Sequence, residues 1–253
     1  MTMEEFRSWA SLVPSLRKAL GSLLLPSSTG RPGFLVPTLN HKSEDLLMTK
    51  EFAWLIRGAL STSDEEEWVL LYNSSTSGLS FNTFFTRISS FVGPTVLVVK
   101  DKEGFLYGGY ASHVWERHAD FFGDMKSFLF QLHPKAGIFK ATGMNKNFQW
   151  CGVNFRSESI PNGVGFGGRA NHFGLFISGS FDEGHTNSCI TYGSPCLSKG
   201  NVIAPEVIEC WGVASCGLEF GEADVKNTVL ERFKEDRLLL NMVGVANSSD
   251  SFS

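Results

Sequence analysis

A chain of 253 residues with 22 Phe and 26 Gly can bury one sizeable core, and this abundance of aromatic and turn-forming residues favours a β-rich domain with tight connections. A formal charge of −4 leaves no basic field to hold nucleic acid or an anionic membrane. No run approaches the roughly 18 apolar residues of a spanning helix, and Glu4, Glu5 and Arg7 interrupt any signal-peptide pattern.

Residues 1–25 have the pattern of two short amphipathic helices. Phe6 and Trp9 share a face of the first, and Pro14 sits where the second starts, ahead of Leu16, Leu20, Leu23 and Leu24 at helical spacing. Such a leucine stripe serves as a packing face or, alternatively, as a groove-seeking face for a partner. Residues 26–42, with three prolines and two glycines, form the expected linker and mark the main boundary. The main domain is expected over 43–242. It starts with a helix over 43–59, and the Ser63-Asp64-Glu65-Glu66 capping box predicts a second, with Trp68, Leu71 and Tyr72 on its inner face. A third short helix is expected from Ser80 to Ile88.

From Gly93 the apolar period becomes two. Strands are expected at Thr95–Lys100 and Phe105–Tyr110, joined by a turn with Gly104 in the left-handed region. Further strands are expected at Ser127–Leu132, Ile138–Ala141, Asn147–Phe155, Phe173–Ser178, Ser188–Tyr192 and Val207–Trp211. Many short strands without intervening helices predict packed antiparallel sheets. A helix over 224–242 and a polar tail over 243–253 complete the expected order.

At the centre of this β region lies Pro161-Asn162-Gly163-Val164-Gly165-Phe166-Gly167-Gly168. Gly163, Gly165 and Gly168 spell G-x-G-x-x-G, but a dinucleotide site needs a helix at the exit, and Arg169-Ala170-Asn171-His172 leads into a β-type run. A loop whose glycines and Asn162 take positive φ and let backbones approach closely is expected instead.

Catalytic patterns are sparse. No G-x-S-x-G is present, and His113 and His118 stand at an i, i+5 spacing that puts them on different helix faces. The five cysteines form neither C-x-x-C nor a zinc-ribbon spacing, so reduced thiols in a cytosolic protein are expected, with no metal or cofactor. Glu209 is ambiguous: facing inward it needs hydrogen-bond partners, and facing outward it is an ordinary solvent pleat. The enzymatic alternatives are a hydrolase using Glu209 with a histidine, or a thiol peroxide scavenger using Cys151, Cys189 or Cys210.

An ordered series of words carries a family resemblance: Trp68-Val69-Leu70-Leu71-Tyr72-Asn73-Ser74-Ser75, Gly93-Pro94-Thr95-Val96, Gly109-Tyr110-Ala111-Ser112, Thr142-Gly143-Met144-Asn145, the glycine run, and Glu209-Cys210-Trp211-Gly212. Over about residues 44–240 the chain resembles the TLDc domain family. Ile160-Pro161-Asn162-Gly163 and Thr191-Tyr192-Gly193-Ser194-Pro195 look most like its MEAK-type, mTOR-associated branch, and Glu4-Glu5-Phe6-Arg7 resembles the end of the EF-hand-like region found there. The resemblance implies an α+β fold, an antiparallel β-sandwich flanked by helices and preceded by a short helical segment. It also implies a non-enzymatic adaptor that binds subunits of the vacuolar-type proton ATPase (V-ATPase) and mTOR-pathway proteins. Association with lysosomal or vacuolar membranes through partners and a link to oxidative-stress resistance are further implications. The expected binding residues are Asn162, Gly163, Gly165, Phe166, Gly167, Gly168 and Arg169, as an exposed loop, together with Glu209.

Overall fold

The computed structural model describes residues 2–22, 36–40, 45–60, 66–157 and 159–215. Among these lie helices α1 (Met3–Ser11), α2 (Pro14–Ser22), α3 (Lys50–Arg57), α4 (Ser74–Ser77) and α5 (Phe81–Ser89). The strands are β1 (Thr38–Asn40), β2 (Glu66–Asn73), β3 (Thr95–Asp101), β4 (Leu106–Ala111), β5 (Phe128–His133), β6 (Gly137–Lys140), β7 (Gln149–Gly152), β8 (Gly163–Arg169), β9 (His172–Ser178), β10 (Gly184–Thr186), β11 (Val202–Ile203) and β12 (Pro205–Ser215). They form a seven-stranded sheet in the order β1-β2-β12-β3-β4-β5-β6 and a five-stranded sheet in the order β11-β10-β9-β8-β7. The β1–β2 pair is parallel; β12 runs antiparallel to both β2 and β3, which places it inside the larger sheet.

Alternation along each strand divides the interior into layers. Leu97 and Val99 of β3, with Ile208 and Cys210 of β12, join Cys151, Val164, Phe166, Leu175 and Ile177 in the core between the sheets. Val96, Val98, Trp211 and Val213 point the other way, into a second core with Ala53, Leu55 and Ile56 of α3. The larger sheet is therefore covered on both sides, which is why β3 is almost continuously apolar. Asp101 fixes the β3–β4 turn: its Oδ1 accepts from the amides of Glu103 (3.0 Å) and Phe105 (2.9 Å), while Gly104 takes φ 84°. Its other oxygen accepts from the Tyr107 and Ser198 hydroxyls, tying the 190s loop to this turn.

The two N-terminal helices pack on the sandwich. Thr2 and Glu5 form a reciprocal capping box at the start of α1. Between α1 and α2 the Leu12 carbonyl accepts from the Ile138 amide (2.8 Å), occupying part of the β6 edge. Ser15 Oγ lies 2.8 Å from the carbonyl oxygens of Trp54 and Leu55, and Lys18 donates to the Leu60 carbonyl (3.0 Å). A Cβ at Gly58 would overlap Ser15, so α2 approaches the end of α3 at backbone distance. Leu16 packs against the helix-side core, whereas Leu20 is half exposed; Leu23 and Leu24 lie outside the described residues.

Several sequence expectations change. The helix expected over 43–59 spans only Lys50–Arg57, because the Leu47 and Met48 amides donate to a strand residue, Glu209. The helix expected after the acidic capping box is strand β2; its aromatic and β-branched residues pair with two neighbouring strands, and tertiary pairing overrides the local helix signal. A register shift at Leu71 leaves Trp68 in the helix-side core and Tyr72 in the inter-sheet core. Thr38–Asn40, placed in the linker by sequence, is a strand. Ser188–Tyr192 contributes only a bridge between Cys189 and Ser194. The expected 224–242 helix and the 243–253 tail lie outside the described residues. Among those described, no helix is long and apolar enough to cross a membrane.

Candidate interaction surface at the end of the glycine-rich strand

The glycine run is a strand, not a rim loop. Gly163–Arg169 is β8, paired to β7 on one side and β9 on the other. Phe166, expected on the surface, is fully buried. Its ring meets Trp115 edge-on, with centroids 5.6 Å apart, and lies over Gly109 of the facing sheet, where a Cβ would come within 2.8 Å of the ring. The glycines are needed for close approach: Gly167 takes φ 67°, and a Cβ there would meet the Cys189 thiol and the Tyr192 ring. Close backbone approach and the positive φ of Gly163, Gly167 and Gly168 were legible in the sequence, but Asn162 and Gly165, also expected at positive φ, are not there. The strand was not legible, because glycine is a poor strand former outside such contacts.

The eight candidate residues do not converge. Asn162 sits at the start of β8, where its side chain accepts from the Phe155 amide and donates to the Phe155 carbonyl, both at 2.8 Å. Arg169 is exposed at the other end, a distance of roughly 20 Å at strand rise. Glu209 belongs to the other sheet and faces inward with no exposed surface. Its oxygens accept from the Leu47 amide (2.8 Å), the Met48 amide (3.1 Å), Asn73 Nδ2 (3.2 Å) and the Trp211 indole N–H (3.0 Å). This carboxylate secures the approach to α3 against β2 and β12, satisfying donors that would otherwise be stranded under the helix.

The exposed end of β8 adjoins three loops that sequence reasoning did not connect. Asn147 Nδ2 donates to the Gly168 carbonyl (2.6 Å), and Thr191 Oγ1 accepts from the Gly168 amide (2.9 Å) and donates to Asn145 Oδ1 (2.9 Å). Thr142 Oγ1 donates to the Ile190 carbonyl (2.8 Å) and accepts from the Met144 amide (3.3 Å). These bonds hold Met144, 74% exposed, beside Ile190, 68% exposed. The Met125 methyl lies 3.8 Å from where a Gly143 side chain would begin. The missed signal was a methionine within two residues of a lysine in two separate turns, Met125-Lys126 and Met144-Asn145-Lys146.

A family profile for the TLDc domain matches residues 41–214. The chain belongs to the TLDc family. It is 35% identical over 235 residues to the MTOR-associated protein MEAK7 of Mus musculus, covering 90% of this chain and 50% of that protein. The Homo sapiens protein of that name is 32% identical over 77% of this chain and 42% of its own length. Oxidation resistance protein 1 of Rattus norvegicus is 29% identical over 69% of the chain and 20% of that protein. The chain thus spans half or less of the length of these relatives.

In this TLDc chain the groups proposed for chemistry are largely committed elsewhere. Burial pushes the Cys151 and Cys210 thiols up to about 12, so neither supplies thiolate near neutrality. Cys189 is buried against Gly167 and Gly174. A serine, an imidazole and a carboxylate do meet at Ser112, His113 and Asp124. There Ser112 Oγ donates to Asp124 Oδ1 (2.7 Å) and contacts Ser127 Oγ (2.8 Å), and His113 Nδ1 lies 3.3 Å from the same hydroxyl and 4.0 Å from Asp124. A nucleophilic triad needs the imidazole between hydroxyl and carboxylate, using its two nitrogens; here one nitrogen faces both. Gln149 Oε1 extends the network by accepting from Ser127 Oγ (3.2 Å) and the His113 amide (3.0 Å). The cluster therefore ties β4, β5 and β7 together. Among the described residues no group of three or more His, Cys, Asp or Glu is placed to hold a metal ion.

Proposed function

We propose that this chain is a regulatory docking module without catalysis of its own. It binds the cytosolic sector of a vacuolar-type proton ATPase at lysosomal or vacuolar membranes and links that pump to mTOR signalling and oxidative-stress resistance. Membership of the TLDc family supports the reading, as do relatives named for mTOR association and for oxidation resistance. The observation that carries it is a contrast in side-chain commitment. Glu209, Cys151 and Cys210 are buried, whereas Met144, Ile190 and Arg169 are held outward by a hydrogen-bonded loop framework. Fixed, exposed apolar groups beside a cation are what a docking face needs, and a substrate site would instead gather reactive groups in a cleft.

The test is recovery of pump subunits from a membrane extract by the immobilised chain, compared with Arg169→Glu. The wild type should retain them and the variant should lose most of them. Failure of the wild type to retain any pump subunit would remove the pump from the account. Equal recovery by both proteins would remove the Arg169 end of β8.

A further inference from the structure

The loop framework at the exposed end of β8 also carries information about the chemistry of what it meets. Four segments converge there: 123–127, 142–147, 168–172 and 187–195. Their formally charged residues are Lys126, Lys146, Arg169 and Asp124, a local balance of +2 in a chain whose total is −4. Asp124 is turned to internal work, since its Oδ1 accepts from Ser112 Oγ (2.7 Å) and the Lys126 amide (2.8 Å). The three cations make no ion pair among the described residues, and all three are exposed. Beside them stand Met125, Met144 and Ile190, between 59% and 74% exposed. Unbranched thioethers adapt their shape to a partner, and exposed apolar groups rimmed by charge mark interaction faces.

We infer that this end of the sandwich is a docking site for an acidic protein segment: a short stretch that seats an apolar side chain on Met144 and Ile190 and places carboxylates against Lys126, Lys146 and Arg169. Charge complementarity selects this occupant. Three exposed cations that make no ion pair among the described residues favour carboxylates, and the methionines require an apolar anchor between them. An anionic membrane is the poorer match, because juxtamembrane lipid recognition uses clusters of roughly 4–8 Lys or Arg, and the negative total charge of the chain opposes approach to such a surface. The inference shares the docking-module reading and does not require the pump to be the partner.

The experiment is selection of a display library of random peptides, roughly twelve residues long, on the full chain. Selected peptides should carry a net negative charge and at least one Leu, Phe, Met or Trp. Their affinity should fall about tenfold or more on Lys146→Glu/Arg169→Glu, and comparably on Met144→Ser/Ile190→Ser. Both double variants change exposed side chains, and an unchanged thermal midpoint confirms that they fold. Replacing the selected acids by lysine should restore binding to the Lys146→Glu/Arg169→Glu protein. Neutral or basic selected peptides, or affinities insensitive to both double variants, would overturn the proposal. So would binding to phosphatidylserine vesicles that is lost with the same lysine and arginine changes while no acidic peptide binds. Pump subunits retained equally by wild type and Lys146→Glu/Arg169→Glu, with peptide affinity lost, would sink the pump reading at this surface and leave the acidic-segment site standing.

Discussion

Glu209 and Arg169 are both charged residues on strands of one TLDc domain, and their surroundings are opposite. Glu209 lies under α3 with no exposed surface, bonded by two amides, a carboxamide and an indole. Arg169 stands at the open end of β8 and makes no ion pair among the described residues. In the first region charge is consumed in closing the fold; in the second it remains available to another molecule. A charged residue within a strand is thus uninformative about function until its internal partners are known, because the same local pattern serves both uses.

The sharpest way to break this comparison is to treat a buried residue as if it were a contact. Phe166 occupies the same strand as Arg169 but is fully buried against Trp115 and Gly109. Phe166→Ala should lower stability by roughly 3–5 kcal/mol, the cost of a large core cavity, measured as the urea midpoint with an unchanged slope. Lost partner binding by that variant would report unfolding, not a missing contact. If Phe166→Ala left stability unchanged, the packing of Phe166 between the two sheets would be refuted.

Glu209→Ala comes next. It strands the Leu47 and Met48 amides and the Trp211 indole beneath α3, and the expected loss is roughly 3–4 kcal/mol. Glu209→Gln keeps an acceptor oxygen and should lose less. Equilibrium unfolding of the pair checks this order. Equal losses would mean that packing, not hydrogen bonding, holds the α3 approach.

How much of this was legible beforehand follows from the range of the interactions involved. The β3–β4 hairpin was readable because Asp101 and Gly104 act within a few residues of one another. Strand β2 was not, because its acidic, cappable start has the local signature of a helix, and only pairing with β12, more than a hundred residues away, decides the matter. The family words located the domain, while the density of glycines in the run read locally as a surface loop. The glycines of β8 are there so that Cys189, Tyr192 and the neighbouring strand β9 can approach the backbone. Met125, Met144 and Ile190 are separated in sequence; the Thr142 hydroxyl bridges the turns that carry Met144 and Ile190, and the Met125 methyl lies near Gly143. No periodicity announces such a surface.

A smaller effect probes the join between the helical segment and the sandwich. At Gly58 any Cβ overlaps Ser15 of α2, so Gly58→Ala must push α2 away from α3. The expected cost is about 1–3 kcal/mol, typical of overpacking, read as a lowered thermal midpoint. Should the midpoint rise instead, as expected for a helix-end glycine with free space, the close α2–α3 approach would be refuted.

The smallest effect concerns a group that is neither clasped nor open. His185 of β10 lies beside Phe173 and Phe176, with ring centroids at 5.8 and 5.1 Å, and its buried Nε2 has no hydrogen-bond partner among the described residues. Burial first, and the charge of His172 second, hold its pKa below the usual histidine value. The sign follows from linkage. Below an unfolded-state value of about 6.5 the unfolded chain binds a proton here that the folded chain refuses, so stability is fully present above that value. It declines as pH falls, until the folded imidazole is protonated as well. His185→Leu keeps an apolar group against the two phenylalanines and removes the titration. Thermal midpoints across pH 7.5 to 5.5 should therefore fall less steeply for the variant than for the wild type. Parallel curves would place the acid sensitivity elsewhere and show that His185 finds a partner for its proton when charged, making it a clasped group after all.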